Sequence, residues 1–440
     1  MNGIFRRLAT CAALLILAAP ALADDATHIG VHSCAGDNCH GAVKPLATSH
    51  VPQDEYLTWS QKDKHAQAYA VLTSDRSQRI AKNLGLVDAE HAPLCLDCHA
   101  DNVPPERRGP QFQLSDGVGC EACHGGAGVS PKGGGWLGTH LSNVGHQRDI
   151  EAGLYATDDP RQRAARCLGC HVGDDKRFVA HKIMGAGHPA MPFELDTYTA
   201  KEPAHFIVNA SYIERKGKPN DMQIWAVGQA LDVKLRMDLI LDPNHAPKGL
   251  NPELSLFDCQ SCHHSISYLQ WRPRTTTNLD PGRVKLYDAT AVMLLIAAGH
   301  VAPDSGKALL DHMLALQAAT GESWEAVKRE ASAVHDLANA LIPALAGHDW
   351  NKDDAISLGH GVVVSALDGN DLDYSGAQQQ VMALTSIVAA MKQLEFVDDK
   401  QLAGLDQALD GLRAAIADDQ KYNPDAYVVA LKAFNAKLPL

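Results

Sequence analysis

Ten of the eleven cysteines of this chain stand in pairs, and a histidine follows each pair directly. Four copies read Cys-x-x-Cys-His: Cys95/Cys98/His99, Cys120/Cys123/His124, Cys167/Cys170/His171 and Cys259/Cys262/His263. A wider copy precedes them, with Cys34, Cys39 and then His40. Two thiols at this spacing can bond both vinyl groups of one haem while the adjoining imidazole takes its iron. The pattern therefore implies five covalently attached haem c groups. Paired cysteine knuckles also hold zinc, but zinc takes two pairs per ion and sets no rule for the next residue. Five pairs, each followed by histidine, answer to haem instead.

The start of the chain predicts export. Arg6 and Arg7, the apolar run from Leu8 to Ala19 and the small-residue sequence Ala21-Leu22-Ala23 read as a signal peptide over 1–23, with a mature periplasmic chain from about Asp24. The apolar run is too short to cross a bilayer. No later segment reaches about eighteen uninterrupted apolar residues, so no membrane span is expected in the mature chain. Cys11 falls inside the signal, which leaves every other cysteine in a haem motif and none for a disulfide, although the compartment would permit one. A formal net charge of -13 excludes nucleic acid as an expected partner; it would favour encounters with a basic redox protein, although such a balance more often serves only to keep a protein in solution.

Composition divides the rest into three stretches. Residues 24–268 carry all five motifs, with abundant Gly and Pro and loops such as Val103-Pro104-Pro105 and Gly133-Gly134-Gly135. So little protein per haem predicts stacked haems that form much of the core themselves, wrapped by irregular chain and short helices, several of them leading into a motif. Residues 269–283 read as a linker. Residues 284–440 become Ala/Leu-rich and helically periodic, with Val327, Ala331, Val334, Ala338, Leu341 and Leu345 on one face and Ala377, Val381, Leu384, Val388 and Met391 on another. Six or seven antiparallel helices are predicted there, broken at Gly299, Gly347, Gly369-Asn370 and Asn423-Pro424, with a kink or stop at Pro343. The fold class is mainly α: a multihaem domain followed by an all-α bundle. The bundle has no cysteine, and His300, His312, His335, His348 and His360 read as surface or helix-end residues.

If His40, His99, His124, His171 and His263 are the proximal ligands, twelve histidines remain in the haem half for at most five distal positions. A second histidine holds iron at lower potential than methionine does, so bis-histidine haems are the expectation. His188 has the best local case, because Gly185 and Gly187 let backbone pass close to a porphyrin and Pro189 stiffens the chain beside the ring. His181 could reach a neighbouring haem, His140 could return over one, and His65 could cap one from a helix. His264 adjoins a proximal ligand and is left with either the next iron or a propionate. His28, His32, His50, His91, His146, His205 and His245 form the remaining pool, with His32 and His205 the first choices.

The phrase Gly119-Cys120-Glu121-Ala122-Cys123-His124-Gly125-Gly126, the run Ala186-Gly187-His188-Pro189 followed by Phe193-Glu194-Leu195, and Trp225-Ala226-Val227-Gly228-Gln229-Ala230 resemble the cytochrome c-554 type of multihaem cytochrome over roughly residues 30 to 270. Its best-known members are tetrahaem carriers that accept electrons from hydroxylamine oxidoreductase. The resemblance implies parallel and perpendicular haem pairs, mostly bis-histidine iron, and His65, His140 and His188 as distal ligands. The fifth haem site and the long helical half depart from the short members, and their partner does not transfer. Electron transfer between redox donor and acceptor proteins, a membrane-bound quinone-linked complex among the candidates, is the leading expectation. The alternative is an oxidoreductase of a small nitrogen or sulfur compound, which needs one open iron and flanking groups such as Asp63, Lys64, Arg107, Arg108 or His146. A third reading makes the helical half a docking module.

Overall fold

The computed structural model describes residues 25–46, 51–131, 135–247, 252–263, 279 and 283–439. Among them there is no strand, only a parallel bridge between His28 and Arg108 and an antiparallel one between Phe257 and Leu286. The signal segment, His50, His264 and most of the expected linker lie outside the described residues.

The first half is a series of short helices: α1 (Glu55–Lys62), α2 (Ala68–Leu72), α3 (Asp75–Leu84), α4 (Pro93–His99), α5 (Cys120–His124), α6 (Trp136–Leu141), α7 (His146–Glu151), α8 (Pro160–His171), α9 (His181–Gly185), α10 (Leu195–Lys201) and α11 (Ala210–Lys216). Helices α4 and α8 start on a proline at the first helical position, where its missing N–H costs nothing, and both end on a motif histidine. Apolar packing around the early motifs is sparse. One cluster of Leu72, Ala81, Ala89, Leu96 and Ala100 serves the second motif.

Helix α12 (Asp221–Leu241) differs in kind. It is buried over most of its surface between Met222 and Ile240, because α8, α10 and the later helices pack around it, while Lys234 and Asp238 keep partly exposed side chains. Where α10 crosses it, a β-carbon at Gly228 would come within 2.7 Å of Leu195 Cβ, so this position needs glycine. Beyond the undescribed stretch run α13 (Ala289–Val301), α14 (Pro303–Ala319), α15 (Trp324–Gly347), α16 (Lys352–Leu367), α17 (Tyr374–Gln393), α18 (Asp399–Ala415) and α19 (Pro424–Asn435). Both predicted apolar stripes, on α15 and α17, are buried. One continuous core reaches from Ala164 of α8 to Leu438 and includes α12.

Two predicted breaks move. Helix α13 runs through Gly299 to Val301, and Pro303 opens the next helix. Gly299 is instead a contact point, since a β-carbon on Gly306 would meet its backbone at 2.9 Å. Helix α15 also runs through Pro343 and stops at Gly347. Burial of Leu341, Ile342 and Leu345 around the proline outweighs the one donor it removes.

The two halves are stitched at the fifth motif. Asp258 caps its short 3-10 turn and also pairs with Lys285 Nζ at 3.2 Å. That buried amine further contacts Asp288, Asp371 at 3.3 Å and Asp373 at 3.0 Å. Because the carboxylates come from three separate segments, the ion cluster fixes the motif against the loop between α16 and α17.

Candidate haem sites

In a Cys-x-x-Cys-His turn the histidine N–H bonds back to the carbonyl of the first cysteine, as His263 does to Cys259 at 2.7 Å. The wide motif reproduces that closure. His40 N donates to Cys34 O at 3.0 Å while Cys39 N donates to Gly36 O at 2.8 Å, so the two added residues bulge outward without separating thiols from imidazole. Glycine is needed there, because a β-carbon on Gly41 would lie 2.0 Å from Ala35 O.

The fifth motif differs from the other four in the exposure of its thiols. Cys259 and Cys262 are both exposed among the described residues, whereas Cys34, Cys39, Cys95, Cys98, Cys120, Cys123, Cys167 and Cys170 are all partly covered. The reason is local. Helices α4, α5 and α8 continue through both cysteines to the histidine, but the fifth motif is a 3-10 turn over Cys259–Ser261 that is held from its start by Asp258. Cys262 already lies past the turn's last residue, at φ -123° and ψ -38°, outside helical backbone.

Each motif histidine faces one other histidine across a gap. The ring centres are 6.0 Å apart for His40 and His140, 6.4 Å for His99 and His188, 6.2 Å for His124 and His205, 6.3 Å for His65 and His171, and 6.2 Å for His181 and His263. A metal bonded to an imidazole nitrogen on each side at about 2 Å, with each ring centre about 1 Å further back, sets two coordinating rings roughly 6 Å apart. All five pairs meet that test. Rings in direct stacking would sit closer, as His171 and Phe193 do at 4.5 Å. Among the described residues, no cysteine joins a group of three or more side chains close enough to share one metal ion, so the thiols do not assemble a zinc cage.

Five of these rings are oriented by their second nitrogen. Nδ1 donates to Glu55 Oε2 from His40 at 2.9 Å, to Asp63 Oδ1 from His65 at 3.0 Å and to Asp149 Oδ2 from His140 at 3.4 Å. His99 and His188 donate to the carbonyls of Ala68 and Pro189, each at 2.9 Å. A donor at Nδ1 leaves the Nε2 lone pair for the metal, and a carboxylate acceptor makes the ligand more basic than a carbonyl does. Burial alone would raise the Glu55 carboxyl, but hydrogen bonds from His40 and backbone outweigh it and hold the group below its ordinary value. Burial pushes His124 and His171 down to about 4, which keeps both rings neutral and able to ligate at neutral pH.

The motifs neighbour one another in an order unlike that of the sequence. Cys34 lies near Cys120, Cys123 near Cys167, and Cys98 near Cys170. In space the sequence first, third, fourth, second results. Arg177 donates to Cys170 Sγ at 3.2 Å and pairs with Asp174 at the fourth motif, near the second. Glu121, buried inside the third motif, accepts from the N–H groups of Ile29, Gly30 and Ala127 and so pins the segment before the first motif against it.

Of the distal candidates, His65, His140, His181, His188 and His205 stand opposite motif histidines. His32 does not: its ring packs on Tyr56 at 6.2 Å and lies 3.8 Å from Asp116, because the turn Val31–Ser33 leads straight into Cys34 and leaves it beside its own motif. His264 is outside the described residues. His28 bonds Asp101, His91 bonds Asp88, His146 bonds Asp158 and His245 bonds Leu239 O. Several groups considered as flanks of an open iron are engaged as well, Asp63 with His65, Arg107 with Ala26 O and Arg108 with Val103 O. Sequence reasoning missed Glu55 and Asp149 as orienting groups. Asp63, two residues from His65, carried the one local signal.

Residues 33–125 match the family described as cytochrome c554 and c-prime. No curated protein and no solved structure matches the chain. No helix of the described residues is long and apolar enough to cross a membrane.

Proposed function

We propose, on the premise that this chain carries a c-type cytochrome domain of the cytochrome c554 and c-prime family, that it is a periplasmic carrier holding five bis-histidine haems. The ten motif cysteines would hold the groups covalently, the fifth through the exposed pair Cys259 and Cys262. His40 with His140, His99 with His188, His124 with His205, His171 with His65, and His263 with His181 would ligate the irons. Each haem supplies a one-electron ferric/ferrous couple. The chain's own work is to fix ligand spacing, to hold Nδ1 protons on Glu55, Asp63, Asp149 and two carbonyls, and to exclude a sixth-ligand vacancy. Five facing ring pairs carry the reading, because a histidine opposite every proximal ligand leaves no place for a substrate. Export rests on the basic and apolar start of the chain and its Ala21-Leu22-Ala23 site. Partners are redox donor and acceptor proteins, and the acidic balance suits a basic one.

A reductive titration in the presence of carbon monoxide tests the proposal. The carrier takes up five electrons per chain and its reduced spectrum is unmoved by the gas. A shifted Soret band on adding carbon monoxide would expose an open iron and contradict it.

A further inference from the structure

A second ligand cluster stands in the cysteine-free helical half, well apart in sequence from every haem motif. His300 lies in the last turn of α13, His348 caps the end of α15, and Asp354 occupies the first turn of α16. His300 Nε2 is 2.5 Å from Asp354 Oδ1, and His348 Nε2 is 3.1 Å from Asp354 Oδ2. One ligand atom from each of the three lies within 4.8 Å of the others. We propose that His300, His348 and Asp354 form a binding site for a divalent transition cation, zinc being the best chemical match.

The donor set is the first argument. Two imidazoles and one carboxylate suit zinc, with a fourth position for water. The surroundings supply the second. Ser357 Oγ sits 3.3 Å from His300 Nδ1 and Asn351 N donates to Asp354 Oδ2 at 2.7 Å, outer contacts of the kind that orient metal ligands. Trp350 packs edge-on against the His348 ring with centres 4.7 Å apart. The third argument is an unmet need. His348 Nε2 is buried and makes no aligned hydrogen bond, despite its distance from the carboxylate. The His300 and His348 ring centres stand 6.2 Å apart, the separation of two imidazoles that bind one ion from opposite sides.

Another cluster of this kind compares poorly. At His28, Asp101 and Glu121, three backbone N–H groups already fill Glu121 and the Arg107 guanidinium lies 3.3 Å from His28 Nε2, where a metal would be repelled. The His300 cluster instead joins the ends of three helices, with imidazoles as the partners of its carboxylate. A bound ion there would act as a clip on the bundle.

The test uses the haem-loaded protein, equilibrated with zinc chloride, desalted, and assayed for zinc per chain by plasma mass spectrometry. One zinc is expected in the parent and in His312→Ala, whose imidazole pairs with Glu330 in the same half, and almost none in His300→Ala or His348→Ala. Thermal unfolding by far-UV dichroism guards against a misfolded variant: zinc should raise the parent's midpoint over that in EDTA and leave His300→Ala unmoved. A parent that retains no zinc, a midpoint indifferent to it, zinc kept by both site variants, or equal loss in His312→Ala would each overturn the proposal.

Discussion

At His40 the nitrogen turned away from His140 donates to Glu55, and at His140 the corresponding nitrogen donates to Asp149. The first site is thus the one whose two facing rings both rest on carboxylates, while His99 and His188 both rest on carbonyls. Carboxylate acceptors enrich the ligand and favour ferric iron. Glu55→Gln is therefore expected to raise one low-potential step of a spectroelectrochemical titration by about 60 mV for each tenfold loss of ferric preference, leaving the other steps in place. A second prediction concerns His205, which faces His124. His205→Ala should keep all covalent haem and convert one iron from low to high spin, visible as a high-spin charge-transfer band. At this scale the proximal ligands were legible, because their chemistry is written in consecutive residues. The exposure of Cys262 was not, since its motif reads like the other three regular copies and differs only in the backbone it adopts. His205 and His32 were not separable either, because the difference lies in where remote chain places them. Asp149 likewise meets His140 only through the turn joining α6 and α7.

Among the elements, the periodic stripes of α15 and α17 could be read directly, because six or five apolar residues at helical spacing admit one face. Gly299 could not. Glycine marks either a break or a close crossing, and only the packing of α13 on α14 shows that here it is the crossing. Helix α12 was obscured for a related reason, as a helix packed on most of its faces, with polar residues such as Gln229 and Asp232 buried among the apolar ones, has little amphipathic signature. The ion cluster at Lys285 gives an element-scale prediction. Lys285→Met would leave Asp258, Asp288, Asp371 and Asp373 without this buried cation and should destabilise the fold by about 3 to 5 kcal/mol, read from denaturant midpoints. A smaller junction tests acid sensitivity. His146 and Lys216 hold Asp158 down to about 2, so its contribution is present above the ordinary carboxylate range and is lost as pH falls toward 2. Asp158→Asn should flatten the decline of stability between about pH 4 and pH 2, measured by thermal melts across that window.

Over the whole molecule, composition separates a motif-rich half from a cysteine-free one, yet the main core runs from α8 through α12 into α19. Composition reports where the chemistry lies, whereas the core follows the apolar faces, and α12 supplies one from before the compositional change. We propose that the stretches 24–268 and 284–440 divide chemistry more sharply than they divide packing. The order in which the motifs neighbour one another, first, third, fourth and second, is also a property of the folded molecule alone. The central claim is that every iron has two histidines, and low-temperature EPR of the fully oxidised protein tests it most directly. Ring planes 19° and 31° apart at His40/His140 and His181/His263 should give rhombic low-spin signals, because parallel rings split the iron d orbitals. Planes at 83° to 88° in the other three pairs should give the strongly anisotropic class. Low-spin signals of these two classes, unchanged by cyanide, nitrite or hydroxylamine, are the predicted result; a high-spin signal near one iron per chain would contradict it.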